Sequence, residues 1–400
     1  MSTRPMTVLS MLTIIGTILG ACTAAPTTTP APPVAAEFVF GLILVGPRDD
    51  HGWSEAHYTA GRYVEANLPH SRMIYLDNLN PDARPDTTLK AAVDDMVAQG
   101  SRLIFITSDD FAADTLPAAQ QHPDTIFIHI SGDHVLKGGA PPNLGNHMGQ
   151  MEYGKMIAGC AAALATDSGA IGYLGPLINH ETRRLANAAY LGARYCYEHY
   201  RGQPSDRLRF DVEWIGFWFH IPGVTADPTK VSNDLFDRGI DVILSGIDTT
   251  EAVAVAGEQA AAGETVWAVP YDFEGACADG SQVCLGVPYF NWGPGYLRLA
   301  QEVLSDKWIQ RWEWAGPDWA DINNRNTSAV GFRKGPALTA DQSAQLNQFI
   351  AGLADGSIVV FKGPLNYQDG TLFLAENQVA TDEQIWYMPQ LLGEMRGLSE

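Results

Sequence analysis

Short polar side chains and tryptophans gather just behind the stretches of this chain that read as β-strands. Asp50, Trp53 and Ser54 follow Phe38–Val45, and Ser108 and Asp109 follow Leu103–Thr107. Trp218 follows Leu208–Trp214, Asp248 follows Val242–Leu244, Asp272 follows Val266–Val269, and Trp292 lies in the loop Tyr289–Gly293. Two aromatic faces with a few short carboxylates suit a flat, nitrogen-rich, neutral ring. Stacking such a ring on an aromatic side chain is worth roughly 1–3 kcal/mol per face. Each residue also has a plainer reading. Trp53 as a staple over the first helix, Trp218 as core and Trp292 as packing under a hinge are the alternatives for the tryptophans. Asp248 reads first as an N-cap for a helix beginning near Thr250, and only second as a cleft residue. Asp109 and Asp110 can cap a helix starting at Phe111 in the same way.

Catalytic and cofactor signatures fail on inspection. Gly149–Met156 approaches a phosphate-binding loop, but Met156 stands where a Ser or Thr would hold magnesium. His180-Glu181-Thr182-Arg183-Arg184 lacks the second histidine of a zinc-protease helix, and the histidines show no paired i, i+4 spacing. There is no Gly-x-Ser-x-Gly elbow. No metal, cofactor or catalytic residue is expected, and the chain reads as a binding protein. A net charge of −21 repels phosphate backbones, which argues against nucleic acid as a partner.

The elements that must position these residues alternate in type. Strands are expected at Phe38–Val45, Met73–Leu76, Leu103–Thr107 and Thr125–Ile130, with helices near Ser54–Leu68, Thr87–Gln99 and Phe111–Gln121. A second series starts after Gly149, with a small-residue helix through Ala165, a strand at Ala170–Leu174 and a helix from about Glu181 to Tyr200. Strands follow at Leu208–Trp214, Val242–Leu244 and Val266–Val269. Such alternation predicts an α/β fold of two doubly wound parallel-sheet lobes joined by a hinge, with ligand at the carboxyl ends of the strands.

The start of the chain bears on location. Arg4 precedes an apolar run, Met6–Leu19, too short and interrupted for a permanent span. Leu19-Gly20-Ala21-Cys22 resembles a bacterial lipobox, which predicts a signal peptide over 1–21 and a lipid on the Cys22 sulfur. More than one acyl chain gives stable anchoring. Thr23–Ala36 is rich in Thr, Pro and Ala and reads as an extended tether. The expected location is the extracytoplasmic face of a cell membrane. Of the other cysteines, Cys277 and Cys284 bracket a polar, Gly-containing loop that suits a local bridge. Cys160 and Cys196, on separate predicted helices, read either as buried free thiols, the preferred reading, or as a second bridge, since an even remainder suits disulfides.

Gly46-Pro47-Arg48-Asp49-Asp50-His51-Gly52-Trp53-Ser54 resembles the first binding loop of the basic membrane protein (BMP) lipoproteins, substrate-binding subunits of ABC importers. The resemblance runs on through Gly145-Asn146, Tyr153-Gly154, Ile171–Gly175, Leu191–Arg194, Trp214–Phe219, Asp237–Ile243 and Asn291–Pro294. It closes on Phe361–Asn366 and Gln368–Gly370. It implies a type I periplasmic-binding fold that closes on a purine base or nucleoside, with Trp53 and Trp218 as the stacking aromatics. Asp50 and Ser54 would flank the first of these, and Asp272 would fall where nucleoside binders place a ribose-binding acid. It further implies a monomer that works with an ABC permease and ATPase. Lobes are expected at 37–147 plus 271–326 and at 148–270 plus 327–400. Ser54 replaces a usual amide, His220–Ala226 reads as an insertion, and Phe290 stands near a position where nucleoside binders carry a lysine. The last change makes a free base as good a candidate as a nucleoside. Rival readings are a receptor or signalling lipoprotein on the same fold and a nucleoside hydrolase.

Overall fold

The structure is a computed structural model that describes residues 1–3, 5–7, 37–359 and 361–400. The apolar signal core, Cys22 and the Thr23–Ala36 tether lie outside the described residues. Among the described residues no helix is long and apolar enough to cross a membrane.

The first series runs β1 (Phe38–Leu44), α1 (Trp53–Asn67), β2 (Ser71–Leu76), α2 (Leu89–Ala98), β3 (Leu103–Thr107), α3 (Ala112–Gln121), β4 (Ile126–Ile130), α4 (His134–Lys137) and β5 (Leu144–Gly149). The second runs α5 (Met151–Ala165), β6 (Ala170–Gly175), α6 (His180–His199), β7 (Arg209–Trp214), α7 (Pro228–Asp237), β8 (Val242–Ser245), α8 (Glu251–Ala261) and β9 (Trp267–Val269). The chain continues through β10 (Gly286–Phe290), α9 (Gly293–Leu304), β11 (Trp312–Ala315), β12 (Val330–Lys334), α10 (Ala340–Ala354), β13 (Leu365–Asn366), β14 (Leu372–Leu374) and α11 (Asp382–Trp386).

Two wholly parallel sheets result, as the alternation predicts. One has the order β11-β5-β4-β3-β1-β2 and the other β7-β6-β8-β9. Every residue of β1, β3 and β6 is buried, as expected for strands covered on both faces by helices. In each sheet the strand order reverses once: between β1 and β3 in the first, and between β6 and β8 in the second. Helices leave opposite faces at such a point and open a crevice beyond the carboxyl ends of the strands. Asp50–Ser54 and Ser108–Asp109 sit at the first crevice, and Gly246–Asp248 and the start of α6 at the second.

Two segments tie the lobes together. In the antiparallel β10–β12 ribbon, Phe290 and Val330 pack into the first core and Phe332 into the second. Near the C-terminus, Trp386 enters the first core while Met388, Leu391 and Leu392 enter the second.

Cys160 and Cys196 take the second of their two readings. They are bonded to each other with their Cα atoms 5.2 Å apart, rather than free. The cause is the approach of α5 to α6. A Cβ on Gly159 would strike the Ala189 carbonyl, and one on Gly192 the Met156 carbonyl, so the two backbones touch along a small-residue seam. That seam brings the cysteines into bonding range although 36 residues separate them. Cys277 and Cys284 are also bonded to each other.

Candidate ligand-binding site

Between the crevices lies a narrow, partly open cavity at the strand ends of both lobes. Trp53, Ser108 and Asp109 line it from the first lobe, and Trp218 and Asp248 from the second. Tyr271 and Asp272 line it from the strand-end that follows β9. Of the residues picked out in the sequence, Asp50, Ser54 and Trp292 do not line the cavity; they hold the ones that do.

Trp53 opens α1. Its indole N–H donates to the Thr107 carbonyl (2.7 Å), which fixes the ring at the mouth of β3. Trp292 is buried behind it, stacked on Phe290 (4.4 Å, 18°) and on His57 (4.6 Å, 16°), and meets Trp53 edge-on at 5.6 Å. Asp50 accepts backbone N–H bonds from Gly52, Ser54 and Glu55, each 2.9 Å, and so caps the start of α1. Burial outweighs those bonds and pushes its pKa up to about 6. The buried Ser54 hydroxyl accepts from the Gly46 amide (3.1 Å) and closes the same loop.

Trp218 sits on the loop after β7. His220–Ala226 forms a turn closed by the Thr225 hydroxyl, which accepts from the Ile221 amide (2.9 Å) and contacts His220 Nδ1 (3.1 Å). The Trp218 carbonyl accepts from the Asp248 amide (2.9 Å), which couples the two loops. The Trp218 indole N–H is buried without a partner. Asp248 is not a helix cap. Helix α8 begins at Glu251 behind Thr250, without a side-chain cap bond, and the Asp248 carboxyl faces the cavity. The turn after β3 is capped by Ser108, whose hydroxyl accepts from the Asp110 amide (3.1 Å), which leaves Asp109 to face the cleft.

The lobes meet across the site. Asn179 caps α6 in a reciprocal arrangement with Thr182, and its amide also donates to Asp109 Oδ2 at 3.2 Å. Gly52 lies so close to the Asp248 carbonyl that any Cβ there would collide with it. His51 Nδ1 lies 3.0 Å from Asp279, which raises the imidazole pKa.

Asp272 is the most unusual residue of the site. It is fully buried, and neither carboxylate oxygen reaches a donor in good hydrogen-bond geometry, the Tyr271 hydroxyl being its polar neighbour. It also holds a left-handed backbone conformation, φ +69°. Such strain is costly for a residue with a side chain and clusters at functional sites. Burial drives its pKa well upward, against the opposing field of the Lys155 ammonium. The Lys155 amine is buried too, which drives its pKa well down against the pull of Asp272; it donates to the Ser245 carbonyl (2.6 Å) and lies 3.1 Å from the centre of the Tyr271 ring.

Sequence reasoning missed Ser131, Tyr173, Glu181, Thr182 and Leu185, all on the cavity wall. Ser131 follows β4 and adopts φ +65°, so the post-strand rule would have found it. Glu181, Thr182 and Leu185 share one face of the first turns of α6, a pattern open to a helical reading. Tyr173 is interior to β6, where no sequence signal separates a cavity wall from core.

Two parallel α/β lobes closing on a small-molecule cleft at their strand ends make this a type I periplasmic binding protein fold. An ABC transporter solute-binding protein from Aeropyrum pernix K1 has the same fold. It superposes with a TM-score of 0.64 at 12% identity, covering 82% of this chain and 93% of that one. The sequence model of the Bmp family, described as ABC transporter substrate-binding protein PnrA-like, matches residues 38–314, and the chain belongs to that family. A purine-binding protein of Brucella abortus (strain 2308) is 26% identical over 348 residues, 86% of this chain and 89% of that protein. A putative ABC transporter glucose-binding protein of Haloferax volcanii is 26% identical over 275 residues, 68% of this chain and 63% of that one.

Proposed function

We propose that this ABC transporter substrate-binding protein captures a purine base or nucleoside between Trp53 and Trp218 and delivers it to an import permease. The observation that carries the reading is the pairing of those two indoles, one from each lobe, on a single narrow cavity with a buried, unpartnered Asp272. Flat rings fit between aromatic faces, and carboxylates recognise the N–H and O–H donors of a base edge or a ribose. The purine-binding relative supports a purine over a sugar. A thermal-shift screen of purines, nucleosides, flavins and sugars tests it. Purines or nucleosides should raise the melting temperature by mass action. Stabilisation by sugars alone would refute the proposal.

Asp272→Asn separates binding from folding. Asn tolerates the left-handed conformation, and it removes a buried carboxyl that has no partner. The unliganded variant should still fold, since Asn keeps the side-chain shape at φ +69°. Its affinity for a nucleoside should fall tenfold or more, on the order of one lost charge-assisted hydrogen bond. A free base should lose less. Unchanged nucleoside affinity would remove Asp272 from the site.

The reading includes a lipid anchor on Cys22. Cys22→Ser should abolish lipid labelling and release the protein into the soluble fraction. Persistent membrane association of that variant would show that something else holds it.

A further inference from the structure

Among the described residues, the cavity wall carries four carboxylates, Asp109, Glu181, Asp248 and Asp272, and no Lys, Arg or His. The cations behind the wall are too few to balance them. Lys155 faces Asp272 from α5, where its ammonium lowers the carboxyl pKa against burial. Arg184 stands behind Glu181, with Nη2 3.9 Å from its carboxylate, but its closest bond goes to Glu152 (Nε to Oε1, 2.6 Å). Asp50 adds its field to Asp248 and Asp272 from the first lobe. Tyr173 and Tyr271 complete the wall as neutral phenols whose ionisation the same carboxylates oppose.

A buried carboxylate without a partner must take up a proton or meet a cation. Asp272, fully buried with both oxygens unpartnered, points to a missing positive or donor-rich partner inside the cavity. Trp53 and Trp218 both line the cavity, and an indole attracts a desolvated cation held over its ring.

We propose that the heterocycle bound between Trp53 and Trp218 carries a positive charge, balanced by the Asp272, Asp248 and Glu181 carboxylates. This rests on the reading of the cleft as a purine-type site and narrows its ligand. Neutral isomers of the same ring bind more weakly, and 5′-phosphorylated forms are rejected by the acidic wall. Protons compete with such a ligand. Burial raises the Glu181 pKa to about 7. Between pH 5 and 7 a cation must therefore displace a proton from the site, and its affinity rises with pH.

The test is calorimetric titration of the full-length protein with 1-methyladenosine, a cation at neutral pH, and with its neutral isomer N6-methyladenosine. Adenosine, inosine and inosine 5′-monophosphate complete the set. The cation is expected to bind at least about tenfold more tightly than its isomer at pH 7. Its affinity should rise by up to about tenfold per pH unit between pH 5 and 7, while that of inosine changes little. The monophosphate should not bind. Equal or weaker binding of 1-methyladenosine, or binding of neutral nucleosides alone, overturns the charge assignment and leaves the purine site standing. Absence of binding by every compound overturns the purine site and this proposal together.

Discussion

Trp218→Ala is expected to weaken binding of the cleft ligand by about five- to 150-fold, the equivalent of 1–3 kcal/mol for one lost stacking face. Trp218 is the cleaner of the two tryptophan tests. It is half-buried on a loop, so truncation removes little packing from either core. Trp53 is buried against His57, Phe290 and Trp292, and its replacement by alanine opens a cavity costing about 3–5 kcal/mol of stability. Trp53→Phe keeps most of that packing and reads the stacking contribution more directly. Because both indoles are assigned to one ring, the double variant should lose less than the sum of the single losses. Full additivity would mean that the two residues contact the ligand independently. Unchanged affinity in Trp218→Ala would remove that residue from the site.

Arg184→Met should destabilise the protein by about 3–5 kcal/mol, because it leaves Glu152 and Glu181 buried without their shared cation. The melting temperature should fall on the order of 5–10 °C. Arg184 is fully buried and its guanidinium lies 4.1 Å over the Trp386 ring, so methionine keeps the apolar contact while the charge is lost. The pH dependence has a definite sign. Burial raises the Glu181 carboxyl from 4.5 to about 7, so the folded state holds its proton more tightly than the unfolded chain. The stability this contributes is full below pH 4.5 and is lost as pH rises through 7. Removing the guanidinium strengthens that trend, so the deficit of Arg184→Met should be largest near pH 8 and smallest near pH 5. Adding Glu152→Gln should recover part of the loss. A variant as stable as the native protein at pH 8 would show that the ion trio is not under electrostatic load.

The core strands were legible because parallel strands covered on both faces leave unbroken apolar runs: Phe38–Leu44 and Leu103–Thr107 can be read directly. β5 was missed for the opposite reason. Leu-Gly-Asn-His-Met-Gly carries no β-branched residue, yet all of it is buried, because Asn146 and His147 find their environment only in the folded lobe. β11 was missed because it completes the edge beside β5 from a distant part of the chain. The site was legible where it rests on post-strand loops, open to a helical reading on α6, and illegible in the interior of β6. The Cys160–Cys196 bond was hidden as well, since it depends on how closely two helices pack.

The proposed site holds one flat, donor-bearing heterocycle between Trp53 and Trp218. It is tested most directly by tryptophan-fluorescence titration of the native protein and of Trp218→Ala with adenine, adenosine, inosine and glucose. Saturable quenching of the native protein by at least one purine compound is expected, with none by glucose and at least about fivefold weaker binding in the variant. Saturation by glucose, with the variant responding as the native protein does, would contradict it.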